Sequence, residues 1–388
     1  MGQTARAVPL RCLPTAGADV SGGGDFGYKP ASTEYCRVGR PDRSPAPTSK
    51  VPAMSEIPVP AQLGQMITGY WISKSIYAAA KFGIADLLTG GPRSLADLAA
   101  ATNTRPDLLY RLLRALASVG VFAEDDGGKF SLTPLADLLR EDVPGSQKAL
   151  VLMMGDDQFR AWANLTDTVQ TGENAYEMVF GKPVFDHIAE HPEKARIFDA
   201  AMTGVHGRET GAIIDAYDFS GIQKLADIGG GNGSKLTAIL QTYPAMRGIL
   251  FDLQHVVDRA RSSIDDAGLG DRCELVGGDF FQSVPAGADA YTMRHIIHDW
   301  DDEKSITILK NCHAVMEPGH KLLVIDSVIM PGNDPAFAKL LDLHMMLIPG
   351  GKERTEAEFR ELYDAAGFDL ARVVPTASDV SVIEGIRR

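Results

Sequence analysis

The sequence predicts an α/β protein in two folded parts: a helical N-terminal region with a winged-helix pattern, then a doubly wound, Rossmann-like sheet. Three observations lead there. Apolar residues recur at spacings of three and four from about Pro60 to Leu139; short apolar runs alternate with helical stretches from Lys224 onward; and the first such run opens into a glycine loop, DIGGGNG, at Asp227 to Gly233. With 388 residues the chain is long enough for two domains, each burying its own core.

Residues 1–55 differ from the rest of the chain. They are rich in Gly, Pro, Ser and Arg and lack apolar periodicity, so a disordered extension is expected, with Met54 a candidate start of the structured protein. The basic residues there are not succeeded by the apolar core a secretory signal would require, and Arg6 breaks the myristoylation pattern. A hydrophobic share of 45% with 23% charged residues describes a globular protein, and no apolar run reaches the roughly 20 residues of a membrane span. A net charge of -13 opposes nonspecific attraction to nucleic acid or to an anionic membrane. Cys12, Cys36, Cys273 and Cys312 show no zinc or redox spacing, which suits reduced thiols in a cytoplasmic protein.

Residues 56–150 form the predicted winged-helix domain. Ser94 is placed to cap one short helix, Thr104 or Asp107 to start another, and Gly120 to end it. Val121–Phe122 and Lys129–Leu132 then read as a two-strand wing around a turn at Asp125 to Gly128. The helix from Pro106 to Ser118 has Arg111 and Arg114 among leucines and alanines, a poor composition for reading DNA, so a dimerisation scaffold is the better expectation. Residues 151–220 read as a helical linker lining a cleft.

Residues 221–388 hold the sheet, with strands KLADIG, GILFD, CELVGGD, ADAYTM and HKLLVID and a final pair near Ala371–Val374 and Val380–Ile383. Such sheets bind ligands beyond the carboxyl ends of their strands. Gly229 and Gly231 let the backbone turn against a ligand, while Asp227 is either a loop cap or the partner of a cofactor's amino group. The second strand ends at Asp252 and Leu253, where a ribose diol would lie, and the third brings Asp279 and Phe280 to the adenine end. His298 falls just past the fourth strand tip, Asp326 ends the fifth, and Glu353 lies further on in PGGKERTEAEF. Two carboxylates on one imidazole would fix its tautomer and raise its basicity.

DIGGGNG, YPAMRGILFDLQHVV, VGGDFFQSVP, HDWDDEK, KNCHAVMEPG and PGGKERTEAEF together resemble the plant-type, caffeate- and acetylserotonin-like small-molecule O-methyltransferases and their bacterial natural-product branch, from about Pro60 to Ile386. The resemblance implies a homodimer joined through its N-terminal domain, and a class I methyltransferase domain holding S-adenosyl-L-methionine. Gly229 and Gly231 would line the methionine end, Asp252 the ribose, Asp279 and Phe280 the adenine. Arg294 would lie near the methionine carboxylate, where the family commonly has Lys. His298 would be the general base, oriented by Asp326 and Glu353. The plant enzymes have Glu at the position of Asp326, so the shorter side chain here calls for a bridging water, or for Glu353 and Asp299 in its place.

Trp162, Phe180, Phe185, Met202, Met345 and Met346 are expected to line the pocket of a small aromatic substrate, and His206 and His295 could face the same cleft. No metal cluster stands out, so a metal-independent enzyme is expected. The rivals are an NAD-dependent oxidoreductase, a winged-helix DNA-binding regulator, and a family member drifted to N- or C-methylation, hydroxylation or decarboxylation.

Overall fold

Arg93–Ser94 (β1), Phe122–Glu124 (β2) and Lys129–Leu132 (β3) make a three-stranded antiparallel sheet in the order β1-β3-β2. The structure is a computed structural model; it describes residues 57–388, without the side chains of 205, 206 and 208. The expectations for residues 1–55 and for the His206 side chain therefore lie outside the described residues. The hairpin turns where expected, because the Asp125 carboxylate accepts the N–H groups of Gly127 and Lys129. β1 went unforeseen, since two residues are too short to register as an alternating pattern.

Helix caps obey local chemistry. Ser94 Oγ accepts the Asp97 N–H at the start of Leu95–Thr102. Neither Thr104 nor Asp107 caps the next helix, Pro106–Ser118: Arg105 holds that place without a side-chain bond, and Pro106 at the first position sets the helical φ. Leu109, Leu113 and Leu116 turn inward against Ile84, Leu98, Phe122 and Phe130, leaving Arg111 and Arg114 exposed.

The larger sheet comprises Lys224–Ile228 (β4), Arg247–Asp252 (β5), Cys273–Gly277 (β6), Ala290–Arg294 (β7), Lys321–Asp326 (β8), Phe368–Pro375 (β9) and Ser381–Arg387 (β10), ordered β6-β5-β4-β7-β8-β10-β9. Strands β4 to β8 run parallel, while β10 is antiparallel to both neighbours. Their near-continuous apolar composition reflects burial on both faces. One face packs Ile228, Met293 and Val324 beneath Asp302–Val315 and Glu356–Ala366, whose Tyr363 joins that core; the other packs Leu225, Leu250 and Ile325 beneath Ser234–Thr242 and Gln254–Asp266. The last pair of strands extends further than its apolar cores at 371–374 and 380–383, since the pairing register runs on to Phe368↔Arg387. β4 and β7 are neighbours although β5 and β6 intervene in sequence, so the strand order reverses between them. A crevice opens beyond their carboxyl ends. No helix among the described residues is long and apolar enough to cross a membrane.

Candidate active site

At the end of β4 the backbone folds tightly under the crevice. Gly229 and Gly230 both donate to the Phe251 carbonyl, at 2.8 and 3.2 Å, and Gly229, Gly231 and Gly233 take φ of 66°, 60° and 79°. A Cβ on Gly229 would stand 2.4 Å from Ile296, and one on Gly230 2.3 Å from Leu250, whereas Gly231 faces open space. The Gly231 N–H donates to Asp252 Oδ2 (2.9 Å) and the Leu253 N–H to Oδ1 (2.7 Å). Asp279 receives the Phe281 N–H at 2.9 Å, and Phe280, Phe281 and Trp300 pack edge to face at the β6 tip. Arg294, 8% exposed, donates to Thr210 Oγ1 at 2.9 Å and stands 3.9 Å from Glu209. Open backbone, partly exposed carboxylates on successive strand tips, an aromatic and a cation fit an adenosyl group linked to an amino acid.

Asp227 is turned away from this crevice. It is fully buried, with Lys235 Nζ 2.8 Å from Oδ1, and Lys235 also donates to Thr292 Oγ1 (3.2 Å). Asp227 presents no surface to a ligand, and its nearest positive charge is the Lys235 ammonium. Lys235 was not foreseen, although its place on the first turn after the loop put it within reach.

His298 sits on a single turn, Ile297–Asp299, past the end of β7. Its Nδ1 is 2.7 Å from Glu353 Oε1, and its Nε2 is 3.6 Å from Asp299 Oδ1. The contact with Glu353 depends on Gly351, where a Cβ would fall 2.0 Å from the His298 carbonyl oxygen. Arg354, fully buried, ties the same turn by donating to the carbonyls of Ile297 (3.0 Å) and Trp300 (2.9 Å) and to Asp302. Burial disfavours the imidazolium, but the carboxylates of Asp299, Glu353 and Asp326 outweigh it and lift the His298 pKa to about 10.

Asp326 meets a different histidine. Its Oδ1 accepts the His295 N–H (2.9 Å), and the His295 ring lies beside it with Nδ1 at 3.8 Å. Two carboxylates do flank His298, but they are Glu353 and Asp299; the short Asp326 side chain acts on it across space. Burial, together with the neighbouring carboxylates of Glu353 and Asp299, pushes Asp326 above the ordinary carboxylate range, against the lowering effect of His298. His295 adopts φ 55°, a left-handed conformation that costs energy for a residue with a Cβ, and its Nε2 lies 3.0 Å from Glu209 on the helix Pro192–Ala216. His295, His298 and Asp326 present ligand-type atoms within 4.8 Å of one another, a grouping that sequence spacing did not suggest.

The expected pocket residues divide. Trp162 donates its indole N–H to His344 Nδ1 at 3.0 Å. Phe185 packs on Trp300 and Phe198, joining the pocket to the adenine-side aromatics. Phe180 lies against Tyr176, His187 and Arg160, and Met346 joins the same cluster from the helix Phe337–Leu347. Met345 is buried on that helix and its carbonyl accepts from Gly350 and Gly351, while Met202 is half-buried on Pro192–Ala216.

A seven-stranded sheet with a glycine loop, strand-tip carboxylates and a paired imidazole at the reversal of strand order defines a class I methyltransferase. Residues 162–369 match the model of an O-methyltransferase domain and residues 65–142 that of an O-methyltransferase dimerisation domain, so the chain belongs to the O-methyltransferase family. It is 48% identical to the phenazine O-methyltransferase PhzM of Lysobacter antibioticus over 84% of this chain and 96% of that one. A phenazine-1-carboxylate N-methyltransferase of Pseudomonas aeruginosa is 32% identical over 86% of this chain and 99% of its own length. The crystal structure of LaPhzM superposes with a TM-score of 0.83, covering 86% of this chain and all of that one at 48% identity. Human N-acetylserotonin methyltransferase in complex with S-adenosylmethionine superposes at 0.78 with 28% identity, covering 86% and 99%. The family and its structural neighbours identify the chain as an S-adenosylmethionine-dependent methyltransferase.

Proposed function

We propose that the chain transfers a methyl group from S-adenosyl-L-methionine to a hydroxyl of a planar aromatic small molecule, with His298 as the general base. The observation that carries this is the 2.7 Å pairing of His298 Nδ1 with Glu353 beside the glycine-loop crevice. It holds Nδ1 protonated and leaves Nε2 to receive a proton. The likeness to a phenazine O-methyltransferase at 48% identity supports a fused-ring acceptor.

The bound cofactor supplies a sulfonium methyl already activated for displacement, so the protein has mainly to orient the acceptor and manage its proton. Gly229 and Gly231 would face the methionine end, Asp252 and Leu253 the ribose, Asp279 and Phe280 the adenine, and Arg294 the methionine carboxylate. Trp162, Phe180, Met202, Met345 and Met346, with Phe185, form the aromatic pocket. A phenol of pKa about 10 is scarcely ionised at neutral pH. The carboxylates around His298 keep most of it protonated there, so it is the neutral form of the ring, which grows as pH rises toward 10, whose Nε2 takes the phenol proton while Glu353 stabilises the imidazolium. Asp326 adds negative potential to the same ring. Asp227 serves the loop rather than the cofactor's amino group.

Within this reading residues 1–55 are an extension, 56–150 a winged-helix dimerisation domain, 151–220 a cleft-lining helical linker, and 221–388 the cofactor-binding domain. A homodimer through the N-terminal domain is supported by exposed Leu63, Met66, Ile67, Tyr70 and Trp71, which give consecutive helices an apolar surface suited to a second copy.

The test incubates His298→Ala and the parent with labelled S-adenosylmethionine and hydroxylated aromatics, beginning with 1-hydroxyphenazine. Turnover is expected to fall about 10²- to 10⁴-fold with S-adenosylhomocysteine affinity unchanged. Full turnover would remove His298 from the mechanism. The N-methyltransferase relative motivates a second reading, methylation at a ring nitrogen. A pyridine-type nitrogen has no proton to lose, so His298→Ala would then spare turnover and product mass fragments would place the methyl on nitrogen.

A further inference from the structure

We infer that His344 is a specificity-determining residue, a neutral imidazole whose Nε2–H binds an acceptor atom, a ring nitrogen or oxo oxygen, on the edge of the aromatic substrate beside the hydroxyl that is methylated. The inference rests on the aromatic-hydroxyl reading above and narrows it to heteroaromatic or oxo-substituted acceptors.

Hydrogen bonding fixes the tautomer. An indole N–H can only donate, so the 3.0 Å contact from Trp162 Nε1 makes His344 Nδ1 the acceptor and puts the proton on Nε2. The two rings lie within 23° of parallel, which suits that in-plane bond. Burial and the nearby charge of His298 push the His344 pKa down to about 4, keeping the ring neutral at any working pH. His344 is 8% exposed as a residue, and among the described residues no protein group bonds Nε2, which is not shut off from solvent, so its N–H is an accessible donor. A residue serving packing alone at this point of an apolar helix would be another Leu or Met like its neighbours Leu343, Met345 and Met346. Trp162 belongs to the expected substrate pocket, and His344 feels the charge of His298. An acceptor bonded to Nε2 therefore belongs to the same molecule whose hydroxyl meets the base.

The test uses two acceptors of equal size, 8-hydroxyquinoline and 1-naphthol, which differ at the ring atom beside the hydroxyl. The parent should prefer the quinoline in kcat/KM by about tenfold or more, since the naphthol leaves the donor unpaired. His344→Phe should bring the ratio to within about threefold by losing the quinoline rate, and His344→Gln, which keeps an N–H donor, should restore part of the preference. Trp162→Phe, which frees the tautomer, should fall between parent and His344→Phe. Taking the ratio within each variant cancels any general loss of folded protein, and comparing that ratio between variants cancels the intrinsic reactivity of the two hydroxyls. If the parent shows no preference, or His344→Phe keeps the parent's ratio, the inference is overturned. Methylation of both compounds with a flat ratio leaves the base mechanism standing, whereas methylation of no hydroxyl by any variant sinks the proposed function instead.

Discussion

The two halves of the crevice handle buried charge in opposite ways. On the β4 side the one fully buried carboxylate, Asp227, is met by Lys235 at 2.8 Å, eight positions later in the chain. On the β7 and β8 side Glu209, Asp326 and Glu353 are all under 9% exposed, and His298 takes up part of the imbalance with Arg294 and Arg354, while burial pushes the His295 pKa down. The first half is closed electrostatically and serves as a platform. The second keeps an excess of negative charge around an imidazole, which stores a proton there and raises its basicity.

Breaking the closed half should cost the most in stability. Lys235→Met strands Asp227 in the sheet and is expected to destabilise the fold by about 3–5 kcal/mol, whereas Asp227→Asn combined with Lys235→Met should recover most of it. Denaturant unfolding of the two single variants and the double variant measures this. An additive cycle, with no recovery, would mean that the two charges are not coupled and that the loop does not rest on their pairing.

A smaller effect is expected at the rim of the same half. Asp252 accepts one backbone N–H on each carboxylate oxygen, so Asp252→Asn keeps one of the two bonds, loses the other and the negative charge, and weakens the binding of a ligand above it. Affinity for S-adenosylhomocysteine should drop roughly 10- to 100-fold with kcat at saturating cofactor little changed, consistent with loss of one or two charge-assisted hydrogen bonds. A loss confined to kcat would instead tie Asp252 to the acid–base side and dissolve the division between the halves.

The same division explains how much of the site was legible in the sequence. Gly229, Gly231, Asp252 and Asp279 each end a strand in a contiguous motif, so strand counting alone brought them to one crevice. Asp227 was assigned to the right strand with two roles left open, because alternation along a strand buried on both faces cannot say which layer a carboxylate enters; its burial beside Lys235 is what the structure adds. The β7 and β8 half, to which the proposed acid–base role belongs, draws on positions 209, 295, 298, 326 and 353. His298 and Glu353 were legible because their motifs are long, yet Glu209 lies on a helix whose pattern gives no hint of where it docks. His344 was hidden by its setting, since an imidazole in a run of Leu and Met reads as core until its hydrogen bond to Trp162 is seen.

The smallest expected effect separates the two carboxylates expected from the sequence to act alike. Both raise the His298 pKa, Glu353 through a 2.7 Å hydrogen bond and its charge, Asp326 through charge alone. The base form exists above that pKa, so kcat/KM of the parent should climb as pH rises from about 7 toward 10, with its acid limb above the ordinary imidazole value of about 6.5. Removing negative charge lowers the pKa, which moves the limb to lower pH in both variants. Glu353→Gln should move it further and also lower the plateau rate, because the lost bond fixed the ring orientation. Asp326→Asn should move the limb less and leave the plateau within a few-fold, since the amide oxygen can still accept the His295 N–H at the same place. Equal shifts and equal plateaus would mean that Asp326 touches the working ring as closely as Glu353 does. A limb that moves with Glu353→Gln alone would make Asp326 a support for the left-handed His295 turn and nothing more.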